Sequence, residues 1–155
     1  ALFDALETGV VKRYITDFGT EELLNKPNVT VFPHVGGSTG EAELNCAIMA
    51  GQTIRRFMET GEIVNSVNFP RVQQVLSAPY RITLINKNVP NIVARISTAV
   101  SDFNINIDNI INRSKGEYAY TLLDLDETDK SKIDELVAKF EASDNIVRVR
   151  LIKGK

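Results

Sequence analysis

His34 is the single histidine of this 155-residue chain, and Cys46 is its single cysteine. An imidazole titrates near neutrality, so it is the side chain best matched to giving and taking a proton at physiological pH. His34 stands in Pro33-His34-Val35-Gly36-Gly37, directly after the alternating apolar residues 28–32. A strand there would present the ring at its carboxyl end, where open α/β sheets expose ligand crevices. Taken alone, a histidine after a strand is more often a structural or surface residue, and Glu21 and Glu22 in a polar loop are ordinarily solvated charges. Paired glycines such as Gly36 and Gly37 mostly mark turns, although they also let a backbone approach a ligand without a Cβ clash. Asn86, Asn88 and Asn106 can shape turns, and a side-chain amide can also accept from an ammonium group and donate to a carboxylate. Cys46, on or near the apolar face of a long helix, reads as a buried, inert thiol. One cysteine can neither close an internal disulfide nor anchor a zinc site, which implies a metal-free, cytoplasmic protein.

These groups need elements to position them. Leu2, Phe3 and Leu6 share one helical face, with Gly9 as the stop. Residues 12–18 and 28–32 read as two short, buried strands separated by a polar loop. Ser38, three residues before Glu41, fits a capping box. Leu44, Ala47, Ile48, Gly51, Ile54, Phe57 and Met58 then form an apolar stripe that runs to Gly61. Residues 62–79 are irregular and read as a connection.

Beyond that connection the hydrophobic period changes. Tyr80, Ile82 and Leu84 alternate with Arg81 and Thr83 as a strand, and Pro90 suits the first position of a helix carrying Ile92, Val93, Ile96, Ala99, Val100 and Phe103. Residues 105–112 and 118–126 alternate on either side of Ser114-Lys115-Gly116-Glu117, a hairpin signal. Residues 129–142 form a second amphipathic helix with Ile133, Leu136, Val137 and Phe140 inward, and Val147, Val149 and Leu151 finish as a strand. The order strand, helix, strand, strand, helix, strand is the split β-α-β plan, an α+β ferredoxin-like layer with both helices on one face.

Composition bounds the partners. With 43% hydrophobic and 25% charged residues the chain can bury a core, and a formal net charge of -2 without a basic stripe argues against non-specific binding to nucleic acid or anionic membranes. No apolar run reaches the roughly 20 residues that span a bilayer. The chain enters a helical pattern at once, without an initiator Met, which suggests that a beginning is missing.

The stretch NVTVFPHVGGSTGEAELN, residues 28–45, resembles the strand, turn and helix that carry the catalytic histidine of NAD-dependent D-2-hydroxyacid dehydrogenases. NSVNFP, residues 65–70, followed by a βαββαβ domain of the ACT type, is similar to the phosphoglycerate dehydrogenase branch of that family. The resemblance implies an α/β chain in three parts. Residues 1–61 would be the C-terminal remnant of a Rossmann-type and substrate-domain dehydrogenase core, 62–79 a linker, and 80–155 an ACT regulatory domain. It implies His34 as general acid/base, partnered by a carboxylate that fixes its tautomer. Alignment on Thr16-Asp17-Phe18-Gly19-Thr20-Glu21 favours Glu21, whereas matching Asp17 to the family's aspartate beside the nicotinamide selects Glu22. Asp17, His34, Val35, Gly36 and Gly37 would line the NAD site. The family's Gly-rich fingerprint, acidic ribose ligand and catalytic arginine would lie upstream of residue 1, so this piece alone is not expected to catalyse.

The same resemblance implies 3-phosphoglycerate as substrate of the intact enzyme, in serine synthesis, and a homo-oligomer paired through the ACT domain. Asn86, Asn88 and Asn106 fall at effector-binding positions for L-serine or another small amino acid, with Asn86 where a histidine is usual. Asn91 replaces a turn glycine, and asparagine tolerates the left-handed conformation needed there. Two other readings are a stand-alone amino-acid-binding and assembly module, and the tail of a different 2-hydroxyacid dehydrogenase.

Overall fold

The structure, a computed structural model, describes residues 1–154. Its backbone groups into two compact units, Ala1–Ile48 and Met49 onward.

In the first unit, α1 (Leu2–Glu7) ends ahead of Gly9, whose φ of 73° takes the chain out of the helix. Strands β1 (Tyr14–Thr16) and β2 (Val29–Val31) pair in parallel, Tyr14 opposite Val29 and Thr16 opposite Val31. Both strands are shorter than their apolar pattern predicts, and they are not buried as expected. Ile15 and Thr30 are exposed, whereas Thr16 and Leu23 are covered. Two three-residue strands make too small a sheet to bury two faces.

Helix α2 (Gly40–Thr60) begins one residue later than its expected cap. Thr39, not Ser38, supplies the cap: its Oγ1 accepts from the N–H of Ala42 at 3.1 Å. Both hydroxyl residues are competent, and only the backbone path selects between them. Thr39 has no glutamate at the reciprocal position, so the box is half of one. The apolar stripe of α2 is present but uncovered, since none of its residues is buried, and Leu44, Ile48, Ile54 and Met58 lie open. Cys46 is likewise exposed, which corrects the expectation of a buried thiol. Helical periodicity specifies an apolar face but does not place its partner in the same chain.

The second unit is built around a four-stranded sheet of order β4-β5-β3-β6, in which all neighbours are antiparallel. Its elements run β3 (Tyr80–Lys87), α3 (Ile92–Ser101), β4 (Asn106–Lys115), β5 (Tyr118–Asp126), α4 (Lys130–Glu141) and β6 (Ile146–Lys153), the expected βαββαβ plan. Gly116 and Glu117 make the two-residue hairpin turn, closing the pair Lys115 to Tyr118. Helix α4 is capped by Asp129, whose carboxylate accepts from the N–H of Ser131 at 2.9 Å. Pro90 does not open α3; Asn91 intervenes with φ 63°, so the left-handed turn is made by an asparagine.

One face of the sheet packs Ile82, Leu84, Leu123 and Leu125 against Ile96 and Val100 of α3 and Ile133 and Leu136 of α4. The other face departs from simple alternation. Arg81 and Thr83, which alternate with the apolar residues of β3, are both buried, because residues 61–78 lie across that side. Ile63 and Val72 form an antiparallel bridge over Tyr120 and Leu122. Arg81 holds this cover in place, pairing with Asp124 through Nε at 2.5 Å and Nη2 at 2.7 Å. Its remaining N–H groups donate to the carbonyls of Thr60, Gln74 and Val75. A buried guanidinium with a bidentate carboxylate and three carbonyls has all five of its N–H donors satisfied, which is what lets a charge sit in a core. Gly61 closes α2 with φ 71°, and a Cβ there would meet Thr83 Cγ2 at 2.5 Å. Among the described residues no helix is long and apolar enough to cross a membrane.

Candidate functional site

The first candidate site lies on the two parallel strands. β1 runs into Asp17 and Phe18, and β2 into Pro33 and His34, so parallel pairing brings the two strand ends together. His34 Nδ1 lies 2.8 Å from Asp17 Oδ2, with side chains 58% and 33% exposed. The imidazole also packs against the Phe18 ring, centroids 4.6 Å apart and tilted by 53°. Thr16 Oγ1 accepts from the N–H of Phe18 at 3.0 Å, which fixes the backbone leading out of β1. An Nδ1–H donated to a carboxylate leaves Nε2 as the atom that exchanges a proton with anything placed before it.

Among the described residues, the carboxylate paired with His34 is therefore Asp17; neither Glu21 nor Glu22 forms an ion pair. Both glutamates lie exposed in the turn after β1, beside the buried Leu23. No local sequence signal pairs Asp17 with His34, because the parallel register that brings the two strand ends together is a tertiary fact. Val35, Gly36 and Gly37 are exposed, and a Cβ added at either glycine would meet nothing within 4 Å.

A dinucleotide needs a strand, a Gly-rich turn and a helix N-terminus around its pyrophosphate. The two-stranded sheet here offers no such cradle, because the chain after β1 enters a turn at residues 21–25 and not a helix. The described residues thus do not hold NAD by themselves.

The second candidate site concerns the asparagines. Asn86 is fully buried; its Oδ1 accepts from the Thr121 hydroxyl at 2.9 Å, and its Nδ2 donates to the Lys87 carbonyl at 3.0 Å. Asn112, which the sequence did not single out, donates to the same Thr121 oxygen at 2.7 Å and completes a polar ladder across β3, β5 and β4. Asn88 is exposed and donates to the Gly116 carbonyl at 3.1 Å, tying the β3–α3 turn to the hairpin. Asn106 is exposed at the start of the edge strand β4. It pairs with Asp126, at the end of the sheet opposite the Gly116 turn. At about 3.3 Å per residue, β4 separates Asn88 from Asn106 by roughly 25–30 Å. The fold keeps the two apart within one copy.

No family model matches the chain. Among curated proteins, D-3-phosphoglycerate dehydrogenase 2 of Saccharomyces cerevisiae is 32% identical over 139 residues, which covers 86% of this chain and 29% of that protein. The chain is a homologue of part of D-3-phosphoglycerate dehydrogenase. Proteins of that name from Dictyostelium discoideum and Escherichia coli agree, at 30% identity over 132 residues and 26% over 133. They too are matched over only 31% and 32% of their lengths, so the chain spans about a third of its curated relatives. Among solved structures, the ACT domain from GTP pyrophosphokinase of Chlorobium tepidum aligns with a TM-score of 0.43 at 18% identity, over 47% of this chain and 95% of that one. The βαββαβ assignment rests on the strand order and register given above, not on that likeness.

Proposed function

We propose that this segment works within an NAD-dependent D-3-phosphoglycerate dehydrogenase that oxidises 3-phosphoglycerate to 3-phosphohydroxypyruvate in the cytoplasm. The observation that carries this reading is the His34–Asp17 pair at 2.8 Å, at the ends of two parallel strands in a chain homologous to part of those enzymes. Oxidation of a secondary alcohol requires loss of its hydroxyl proton, and the free Nε2 of His34 is the acceptor. Asp17, accepting from Nδ1, keeps Nε2 unprotonated before the transfer and stabilises the imidazolium afterwards. Phe18 limits the ring's rotation. Glu21 and Glu22 are alternative carboxylates if residues from the rest of the enzyme draw Asp17 toward the cofactor. NAD and the substrate phosphate would be held chiefly by residues outside this chain.

The reading is tested in a full-length enzyme carrying this segment. His34→Ala is expected to lower kcat by about 10²- to 10⁴-fold, the usual worth of a general base. Turnover at the original rate removes the assignment. A preference for a non-phosphorylated hydroxy acid would instead point to another 2-hydroxyacid dehydrogenase.

The βαββαβ unit is proposed to sense a small amino acid, L-serine being the first to try, between paired copies. Asn88 and Asn106 are exposed but lie at opposite ends of one sheet, so a single small ligand reaches both only when a second copy turns its opposite end toward the first. β4 is an edge strand and could extend the sheet into that copy. Asn86, buried and bonded to its own chain, would support the turn and not touch the ligand. Light scattering at several concentrations and calorimetric titration with L-serine and glycine test this; a strict monomer without heat from either sinks it.

A further inference from the structure

Among the described residues of the first unit, only Thr16 and Leu23 are buried, and a buried hydroxyl needs a partner. For Thr16 that partner is local. Its Oγ1 accepts from the Phe18 N–H at 3.0 Å and donates, at 3.4 Å, to the Phe18 carbonyl, so both backbone polar groups of Phe18 are tied to the side chain two positions earlier. Asp17 stands inside the ring that these bonds close. The Thr16 carbonyl also accepts from the Phe32 N–H at 3.1 Å, which ties the near side of Asp17 to the neighbouring strand. The torsions of Asp17 are thereby restrained from both sides.

Gly19 adds a steric restraint. A Cβ built there would stand 2.5 Å from Val31 Cγ1, well inside contact distance. Val31 is the β2 residue opposite Thr16, and its β-branched side chain has little freedom at χ1. A residue without a Cβ therefore lets the chain after Phe18 close down on β2. The hydroxyl at position 16 and the missing Cβ at position 19 bracket the two residues that touch the imidazole. Asp17 Oδ2 lies 2.8 Å from Nδ1, and the Phe18 ring lies 4.6 Å from the imidazole, centroid to centroid. Phe18 is 72% exposed and Asp17 is only partly covered, so packing does little to place either side chain. Their aim comes from the backbone, which the bracket holds.

We propose that Thr16 and Gly19 are positioning residues for the proton relay, setting the backbone of Asp17 and Phe18 so that Asp17 accepts from Nδ1–H and Nε2 is left bare toward the substrate. The inference rests on the proposed role of His34. Neither residue touches the reacting atoms; each acts through the orientation and tautomer of the imidazole.

Because His34 is the single histidine, nitrogen NMR of the 155-residue chain gives one pair of imidazole signals, which report the tautomer once the ring is neutral. The unmutated ring should carry its proton on Nδ1, the opposite of the tautomer that a free imidazole prefers. Thr16→Val, which keeps the shape and removes the hydroxyl, should move the signals toward Nε2–H; Thr16→Ser, which keeps the hydroxyl, should not. In a full-length enzyme carrying this segment, Thr16→Val should lower kcat about three- to thirtyfold with KM nearly unchanged, within the roughly 10²-fold that a misplacement of about 1 Å can cost. Thr16→Ser should stay close to the parent enzyme. Gly19→Ala should lose about as much as Thr16→Val, and adding Val31→Ala, which removes the atom that the new Cβ meets, should restore most of the loss. Unchanged tautomer and kcat in Thr16→Val, equal losses in Thr16→Ser and Thr16→Val, or a double variant no better than Gly19→Ala would each overturn the proposal. An unmutated ring protonated at Nε2 would overturn the His34–Asp17 pair and the bracket with it. If instead His34→Ala keeps the original rate, the catalytic reading alone is lost, and the imidazole signals still decide whether Thr16 and Gly19 set the ring.

Discussion

The molecule carries two side-chain pairs of similar chemistry in opposite surroundings. His34 and Asp17 meet at 2.8 Å with 58% and 33% of their side chains exposed, whereas Arg81 and Asp124 meet at 2.5 Å with 0% and 1% exposed. Water screens the first pair, so it contributes little to folding and is available to a partner molecule. The second pair has left water entirely, and its members must satisfy one another or the sheet cannot keep its cover. An ion pair's position, more than its length, decides whether it serves chemistry or architecture.

The sharpest way to break this contrast is to remove half of the buried pair. Asp124→Asn should cost about 3–5 kcal/mol by leaving Arg81 buried without a counter-charge. Denaturant unfolding of the chain would measure it. Replacing both partners together, as Arg81→Met with Asp124→Leu, should recover much of that loss, since two apolar groups leave no unpaired charge. A double variant as unstable as the single one would mean that the bonds to Thr60, Gln74 and Val75 matter more than the ion pair.

Next in size, Leu123→Ala, in the helix-side core, should lose about 2–5 kcal/mol from the lost burial and the cavity left behind. Gly61→Ala should cost about 1–3 kcal/mol, because a left-handed φ and the Thr83 contact both oppose a Cβ. In the first unit, Asp17→Asn should move stability by less than about 1 kcal/mol, as exposed pairs do. A larger effect would make that pair architectural too, erasing the comparison.

The smallest effect concerns acid. The Glu127 carboxyl is held at about 2, below its ordinary 4.5, chiefly by the Asp129 backbone N–H, then by the Lys132 ammonium and the Thr128 N–H. A carboxylate with a depressed folded value contributes stability above its unfolded value, and that contribution is lost as pH falls through the folded one. Glu127→Gln should therefore flatten the acid limb of stability between roughly pH 4.5 and pH 2, read as denaturant midpoints against pH. An unchanged slope would remove Glu127 from the account.

The second unit was legible in the sequence because its elements combine clear periods with unambiguous punctuation. Gly116 in the hairpin and Asp129 at the α4 cap act within a few residues of themselves, where local propensity and tertiary structure agree. The left-handed turn at Asn91 was readable for the same reason, although the placement of Pro90 was off by two positions. The first unit was less legible. Short strands, an uncovered helix face and an exposed Cys46 all depend on what packs against them, and periodicity contains no information about a partner's presence.

By itself, then, the sequence determined the order of elements, the βαββαβ plan and the lone imidazole after a strand, because these follow from side-chain period and local backbone preference. Tertiary structure alone decided that Asp17, not Glu21 or Glu22, stands against His34, since the register of two parallel strands sets which side chains meet. It also decided that Arg81 is buried and that residues 61–78 cover the sheet, because a charge enters a core only where distant carbonyls and a carboxylate converge to receive it.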